Sequence, residues 1–289
     1  MTRKFDHLVL CAADLEQAQQ FYRSIGFTLT PRALHPFGTA NSLVQLQGNF
    51  LELLSVADPA LIPKPEPGKF SFAIFNQAFL KRREGFSMLV LASSDAAADV
   101  AEFKASGLNA YDVFNFGRQA TLPDGSQARV DFSLAFVTEP SMPEAGFFTC
   151  QQHAPQYFWR PEYQRHANGA IRVLEVVMSA SRPGDYRGFF ERLMKSPARV
   201  SPSGIALGDG GEQLTVLDHG VLAARFPEIA RRGPGDSPRL EAYAIEVANL
   251  TAVKNLLRSA GVVFRAASNA IVLPPTKAFG VAIEFRQPA

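Results

Sequence analysis

Apolar strands followed by amphipathic helices recur four times along the chain. They open at Asp6-His7-Leu8-Val9-Leu10, Ser87-Met88-Leu89-Val90-Leu91, Leu174-Glu175-Val176-Val177-Met178 and Ala242-Tyr243-Ala244-Ile245-Glu246. In the first copy Asp14 stands where a helix N-cap belongs, and a helix is predicted from Leu15 to Arg23. Gly26 then ends it, as a residue able to take a positive φ does. The spacing from Asp14 to Gly26 is 12 residues (26 − 14), from Asp95 to Gly107 again 12 (107 − 95), and from Asn249 to Gly261 again 12 (261 − 249). Alternating stretches at 27–30, 41–47 and 49–56 predict three strands after the first helix, so each copy reads as a βαβββ unit. The expected class is α+β, with residues 1–140 as one pair of units, 141–170 as a polar and aromatic connector, and 171–289 as a second pair.

Aligning the copies isolates unusual residues. The position of His7 is occupied by Met88, Glu175 and Ala242 in the other three, so only the first strand offers an imidazole. The chain has 289 residues, 47% of them hydrophobic, enough for two ordinary cores. Its net charge is +2 and no basic run exceeds Lys81-Arg82-Arg83, which argues against nucleic acid as a partner. Two cysteines make no disulfide framework and suit a reducing compartment. The opening apolar run is too short for a signal sequence or a membrane span, so a cytoplasmic protein is expected. The 24 phenylalanines are expected to pack between layers of sheet and helix. Dinucleotide, phosphate-loop and nucleophile-elbow motifs are absent from the sequence, which disfavours nucleotide cofactors and serine hydrolysis.

The first strand, the segment His35-Pro36-Phe37-Gly38-Thr39-Ala40-Asn41 and the strand Asn49-Phe50-Leu51-Glu52-Leu53-Leu54 resemble the vicinal oxygen chelate superfamily, and within it the glyoxalase-like domain family. That resemblance implies four βαβββ units paired into two open, cup-shaped mixed sheets with flanking helices. It also implies a divalent metal (Zn, Fe, Mn or Ni) inside a cup, on inward residues of the first and last strands of each unit. His7 and Glu52 match those positions. In the second unit Met88 replaces the His, and the strand expected to close that unit, 128–133, offers only Asp131. The second pair of units offers Glu175 and Glu284, and Ala242 at the remaining opening position. Two carboxylates in one dry site would repel unless a cation bridged them.

The connector packs His153, His166 and the sole tryptophan, Trp159, into a short span. His153 is a candidate third ligand or general acid/base beside Glu52, and against that stands a connector merely pinned by aromatic burial and His-to-backbone bonds. Trp159 is expected to line a pocket or fill a seam. His35 and Asn41 are expected at the edge of a substrate site, while a local turn accounts for Thr39. Two functions stay open. One is a metal-dependent lyase, isomerase or dioxygenase acting on a small oxygen-chelating substrate. The other is a metal-free protein of the same fold that binds or sequesters a small molecule. A homodimer is open as the assembly.

Overall fold

The structure is a computed structural model that describes residues 2–121, 125–209, 211–233 and 235–287. The first unit runs β1 (Phe5–Cys11), α1 (Leu15–Ser24), β2 (Ala33–Leu34), β3 (Thr39–Gln45) and β4 (Phe50–Val56), followed by α2 (Phe72–Leu80). The second is β5 (Gly85–Ser93), α3 (Ala96–Ala105), β6 (Asn109–Ala110), β7 (Phe114–Thr121), β8 (Gln127–Thr138) and β9 (Gly146–Gln152), with α4 (Pro155–Phe158) beyond it. The third is β10 (Ala170–Ser179), α5 (Arg187–Met194), β11 (Arg199–Ser201), β12 (Gly204–Gly208) and β13 (Gln213–Leu217), followed by α6 (His219–Arg225). The fourth is β14 (Arg239–Val247), α7 (Leu250–Ser259), β15 (Arg265–Ala266), β16 (Ala270–Leu273) and β17 (Ala282–Arg286).

The helix signals act as their chemistry requires. Asp14 accepts from the backbone N–H of Glu16 and Gln17 at 2.8 and 3.1 Å. Gly26 closes the helix at φ +89°, and a Cβ there would come within 2.9 Å of Asn168 in the connector. Asn168 returns the contact by donating to Ile25 O.

The strands form two open mixed sheets, ordered β2-β3-β4-β1-β5-β9-β8-β6 with β7 on β8, and β11-β12-β13-β10-β14-β17-β16-β15. In each, the two opening strands lie antiparallel at the centre and each pairs in parallel with its own closing strand. Side chains alternate between faces. Leu8 and Leu10 join a core that also takes in Tyr22, Phe190, Tyr243 and Phe285, so one hydrophobic cluster runs through both halves. Val9 and Cys11 point the other way, into the first cup.

Three sequence expectations change. Residues 27–30 are not a strand: Thr28 gives its N–H to His166 and its hydroxyl to Arg165 O, and Pro31 then interrupts the run, so the short β2 follows instead. Part of the expected connector is β9, which pairs with β5 inside the first sheet. The strand containing Asp131 is therefore not the closing strand of its unit but part of the β7–β8 hairpin, where Asp131 lies opposite Gly117.

Candidate functional site

The register places His7 opposite Val90 and Val9 opposite Met88, which makes His7 and Met88 equivalent across the β1–β5 pair. On the closing strands, Glu52 lies beside Val9 and Phe148 beside Val90, so Phe148 is the counterpart of Glu52. Of these four positions only two carry donors. Asp131, expected to contribute from the second unit, is engaged by Arg129 at 2.8 Å.

His7, Glu52, His35 and Asn41 all line one cavity inside the first cup, walled by Phe37, Phe50, Phe72, Phe116, Phe132, Phe148 and Phe158. His7 is fixed from behind. Its Nδ1 meets Asp6 Oδ1 at 2.5 Å, the other Asp6 oxygen accepts from Gln152, and its ring stacks on Phe50. Nε2 therefore faces Glu52 Oε2, at 3.7 Å. That is too long for a hydrogen bond.

Glu52 is buried, and burial raises its carboxyl above the usual range, against the pull of His7 and the Asn41 hydrogen bond. Asn41 Nδ2 donates to Glu52 Oε1 at 2.6 Å and stands 3.3 Å from His35 Nε2. That contact makes Nε2 the acceptor, so His35 Nδ1 carries the proton and donates to Thr39 Oγ1 at 2.8 Å. Burial, then the charges of Arg118 and His7, pushes His35 down to about 3, so it is a neutral ring at ordinary pH. Asn41 Oδ1 is buried with no partner among the described residues, an acceptor left for a bound molecule. The hairpin carrying these groups turns at Gly38 (φ +86°), whose carbonyl accepts from Ala57 and Asp58.

Two further residues lining the cavity, Arg118 on β7 and Cys150 on β9, escaped the sequence reading, as did Asp6 behind His7. Only Asp6, adjacent to His7, left a signal that could have been followed. Cys150 is free, and burial holds its thiol far above the ordinary range, so it stays protonated.

His153 and Trp159 lie outside this cavity. His153 is exposed, with its Nε2 2.7 Å from Ser133 Oγ, in a shallow pocket with Arg129 and Asp131. The strand assignment explains the displacement: His153 follows the end of β9 and gives its backbone N–H to Asp131 O on β8. Trp159 packs edge-on against Phe50 and Phe158, supporting the wall from outside. The connector is pinned at His166, whose two nitrogens meet Thr28 N and Gln45 O.

The second cup is arranged differently. Leu222 of α6 packs with Leu217, Phe226 and Ile229 against Val177, Ala242 and Ala282. Glu175 and Glu284 are bridged by guanidinium groups: Arg225 reaches them at 2.6 and 3.0 Å, and Arg286 reaches them at 2.5 and 2.7 Å. Burial alone would raise Glu175, but Arg225 and then Arg286 override it and hold the carboxyl at about 2.

A divalent ion suits the first cup in part. Two bonds of about 2.1 Å meeting near the tetrahedral or trigonal angle span about 3.4–3.6 Å, close to the 3.7 Å between His7 Nε2 and Glu52 Oε2. A carboxylate behind the ring, as Asp6 is, is the usual support of a ligating His. Among the described residues no three His, Cys, Asp or Glu side chains converge, so His7 and Glu52 would leave the other positions to water or substrate oxygens.

The family model of the glyoxalase-like domain matches residues 5–194. No curated protein sequence matches the chain. Its fold is similar to that of a hypothetical protein from Staphylococcus aureus, at 13% identity and TM-score 0.70, over 99% of this chain and 100% of that one. It is also similar to a mutant 4-hydroxymandelate synthase from Streptomyces coelicolor (12%, TM-score 0.59, 99% and 92%). A Mn(II)-bound glyoxalase from Novosphingobium aromaticivorans is a third likeness (11%, TM-score 0.57, 99% and 83%). At these identities the likeness is one of fold. Among the described residues no helix is long and apolar enough to cross a membrane.

Proposed function

The chain belongs to the glyoxalase-like domain family, and from that premise we propose that its first cup is the working site, a metal-assisted centre for a small substrate with adjacent oxygens. The observation that carries this reading is the pair His7 Nε2 and Glu52 Oε2, 3.7 Å apart in a phenylalanine-walled cavity, with His7 locked in orientation by Asp6. His7 and Glu52 would hold the divalent ion (Zn, Fe, Mn or Ni), which supplies Lewis-acid polarisation of a substrate oxygen. Asp6 keeps the His7 proton on Nδ1 and leaves Nε2 as a lone pair. Asn41 Oδ1 accepts a hydrogen bond from the substrate, and neutral His35 holds the Asn41 amide in place without adding charge. Glu52, facing the cavity, is the group able to take a proton from the substrate and return it. The phenylalanine walls exclude water from that exchange. This chemistry covers the lyase and isomerase classes; the dioxygenase class would in addition need molecular oxygen as co-substrate and a redox-active ion such as Fe at the site.

A second reading, a metal-free protein that binds a small molecule in the same cup, is favoured by Met88 and Phe148 at the positions equivalent to His7 and Glu52. Elemental analysis after equilibrium dialysis against Zn(II) and Mn(II) separates the two. The first reading expects about one equivalent retained by the wild type and by Glu175→Gln, and loss of uptake in His7→Ala. Less than a tenth of an equivalent in the wild type leaves only the second.

A further inference from the structure

Arg118 faces the same cavity as Glu52, yet no carboxylate of the described residues lies within 4.0 Å of its guanidinium, and Glu52 acts on it only through space. Arg118 also lines an adjoining groove that shares Leu43 and Phe158 with the cavity. That groove carries Arg32, Arg118 and Arg160, and no Asp or Glu among its described lining residues. Arg160 Nε is likewise buried without a hydrogen-bond partner among the described residues. Unbonded nitrogens also occur on Arg83, Arg232 and Arg239, but there Glu144 or Glu241 supplies the counter-charge. The arginines of this groove have no such ion pair among the described residues.

A guanidinium removed from water without a counter-ion is costly, and three of one sign on one groove repel. The planar fork of an arginine matches a carboxylate or phosphate through two parallel hydrogen bonds. Beyond Arg118 the cavity offers flat apolar walls, Phe37, Phe50, Phe116, Phe132 and Phe158. We infer that the molecule taken by the first cup is an organic anion, its carboxylate or phosphate held by Arg118 with Arg160 and Arg32 drawing it in, and its flat apolar body lying among the phenylalanines towards Glu52. This rests on the reading of the first cup as a small-molecule site and names the class of ligand for it.

The test is titration calorimetry of the full chain, as purified, with 3-phenylpropanoate, phenyl phosphate and the neutral 3-phenylpropanamide. At least one anion is expected to bind about tenfold more tightly than the amide, the gain of charge-assisted hydrogen bonds, and the tighter of the two identifies the anionic group. Arg118→Gln should remove that advantage while leaving amide binding in place, and Arg118→Lys should restore part of it. His7→Ala should keep the preference, so metal uptake retained in that variant speaks against the metal reading and not against this one. Equal affinity for amide and anions, an unchanged preference in Arg118→Gln, or no binding of any probe overturns the inference.

Discussion

Glu52 is held in a place that costs the fold something. Its carboxyl is 5% exposed, receives one hydrogen bond from Asn41, and titrates above its ordinary range because burial penalises the charge. In the window between the unfolded and the raised folded value, the folded state holds more protons, so stability falls as pH rises through it. Glu52→Gln keeps the Asn41 contact and removes the charge. It is expected to raise stability at neutral pH by about 1 kcal/mol, an advantage that shrinks towards acid pH, while metal uptake is lost. Thermal unfolding of both proteins from pH 4 to 8 checks this, and equal melting temperatures throughout would contradict it. His7, Glu52, His35 and Asn41 were legible in sequence because each sits in a motif or repeats at a fixed place in the units. Arg118 was not, since it lies on the β7–β8 hairpin, where no repeat position marks which face a side chain takes. His153 stands outside the cavity, since density of polar residues does not say on which side of a strand end they emerge. His153→Ala is expected to leave metal uptake and probe binding within error of the wild type, read by the metal dialysis and by calorimetry.

Whole elements decide where those side chains stand. The hairpin between β2 and β3 presents His35 and Asn41 only because Gly38 takes φ +86° with Asp58 O so close that a Cβ would lie 2.4 Å from it. Gly38→Ala should cost about 1–3 kcal/mol and weaken ligand binding, measured by denaturant unfolding and calorimetry. An unchanged midpoint would contradict the role assigned to that turn. In the second cup, Glu175 drops from an ordinary 4.5 to about 2 through Arg225 and Arg286, opposed by burial. Its contribution is present above pH 4.5 and lost as pH falls through about 2, on the order of 3 kcal/mol. Glu175→Gln should therefore flatten the stability profile across that acid window; an unaltered slope would rule this out. The opening strands, α1 and its caps were readable from periodicity and end signals. The closing strand of the second unit was not, because the β7–β8 hairpin lengthens that unit and moves the Glu52 counterpart from the expected 128–133 to Phe148.

At the scale of the molecule, the two halves share one hydrophobic cluster, and inside it Tyr22 and Tyr243 exchange a hydrogen bond of 2.8 Å between fully buried hydroxyls. Tyr22→Phe strands the Tyr243 hydroxyl and should cost about 1–2 kcal/mol, whereas the double variant with Tyr243→Phe should recover much of that loss. With the core continuous, denaturant unfolding should follow a single transition by fluorescence and by circular dichroism. Two separated transitions would contradict it. Sequence periodicity could place the units but not the contact between halves, which joins residues far apart in sequence such as Tyr22 on α1 and Tyr243 on β14. The fold thus carries two cups of one design, one with its carboxylates neutralised by arginines, the other with His7 and Glu52 facing a cavity. The most direct test of that division is a crystal of the full chain soaked in Mn(II) and measured for anomalous scattering. The account predicts a peak within coordinating distance of His7 Nε2 and Glu52, and none between Glu175 and Glu284; a first cup without a peak, or a peak in the second, would contradict it.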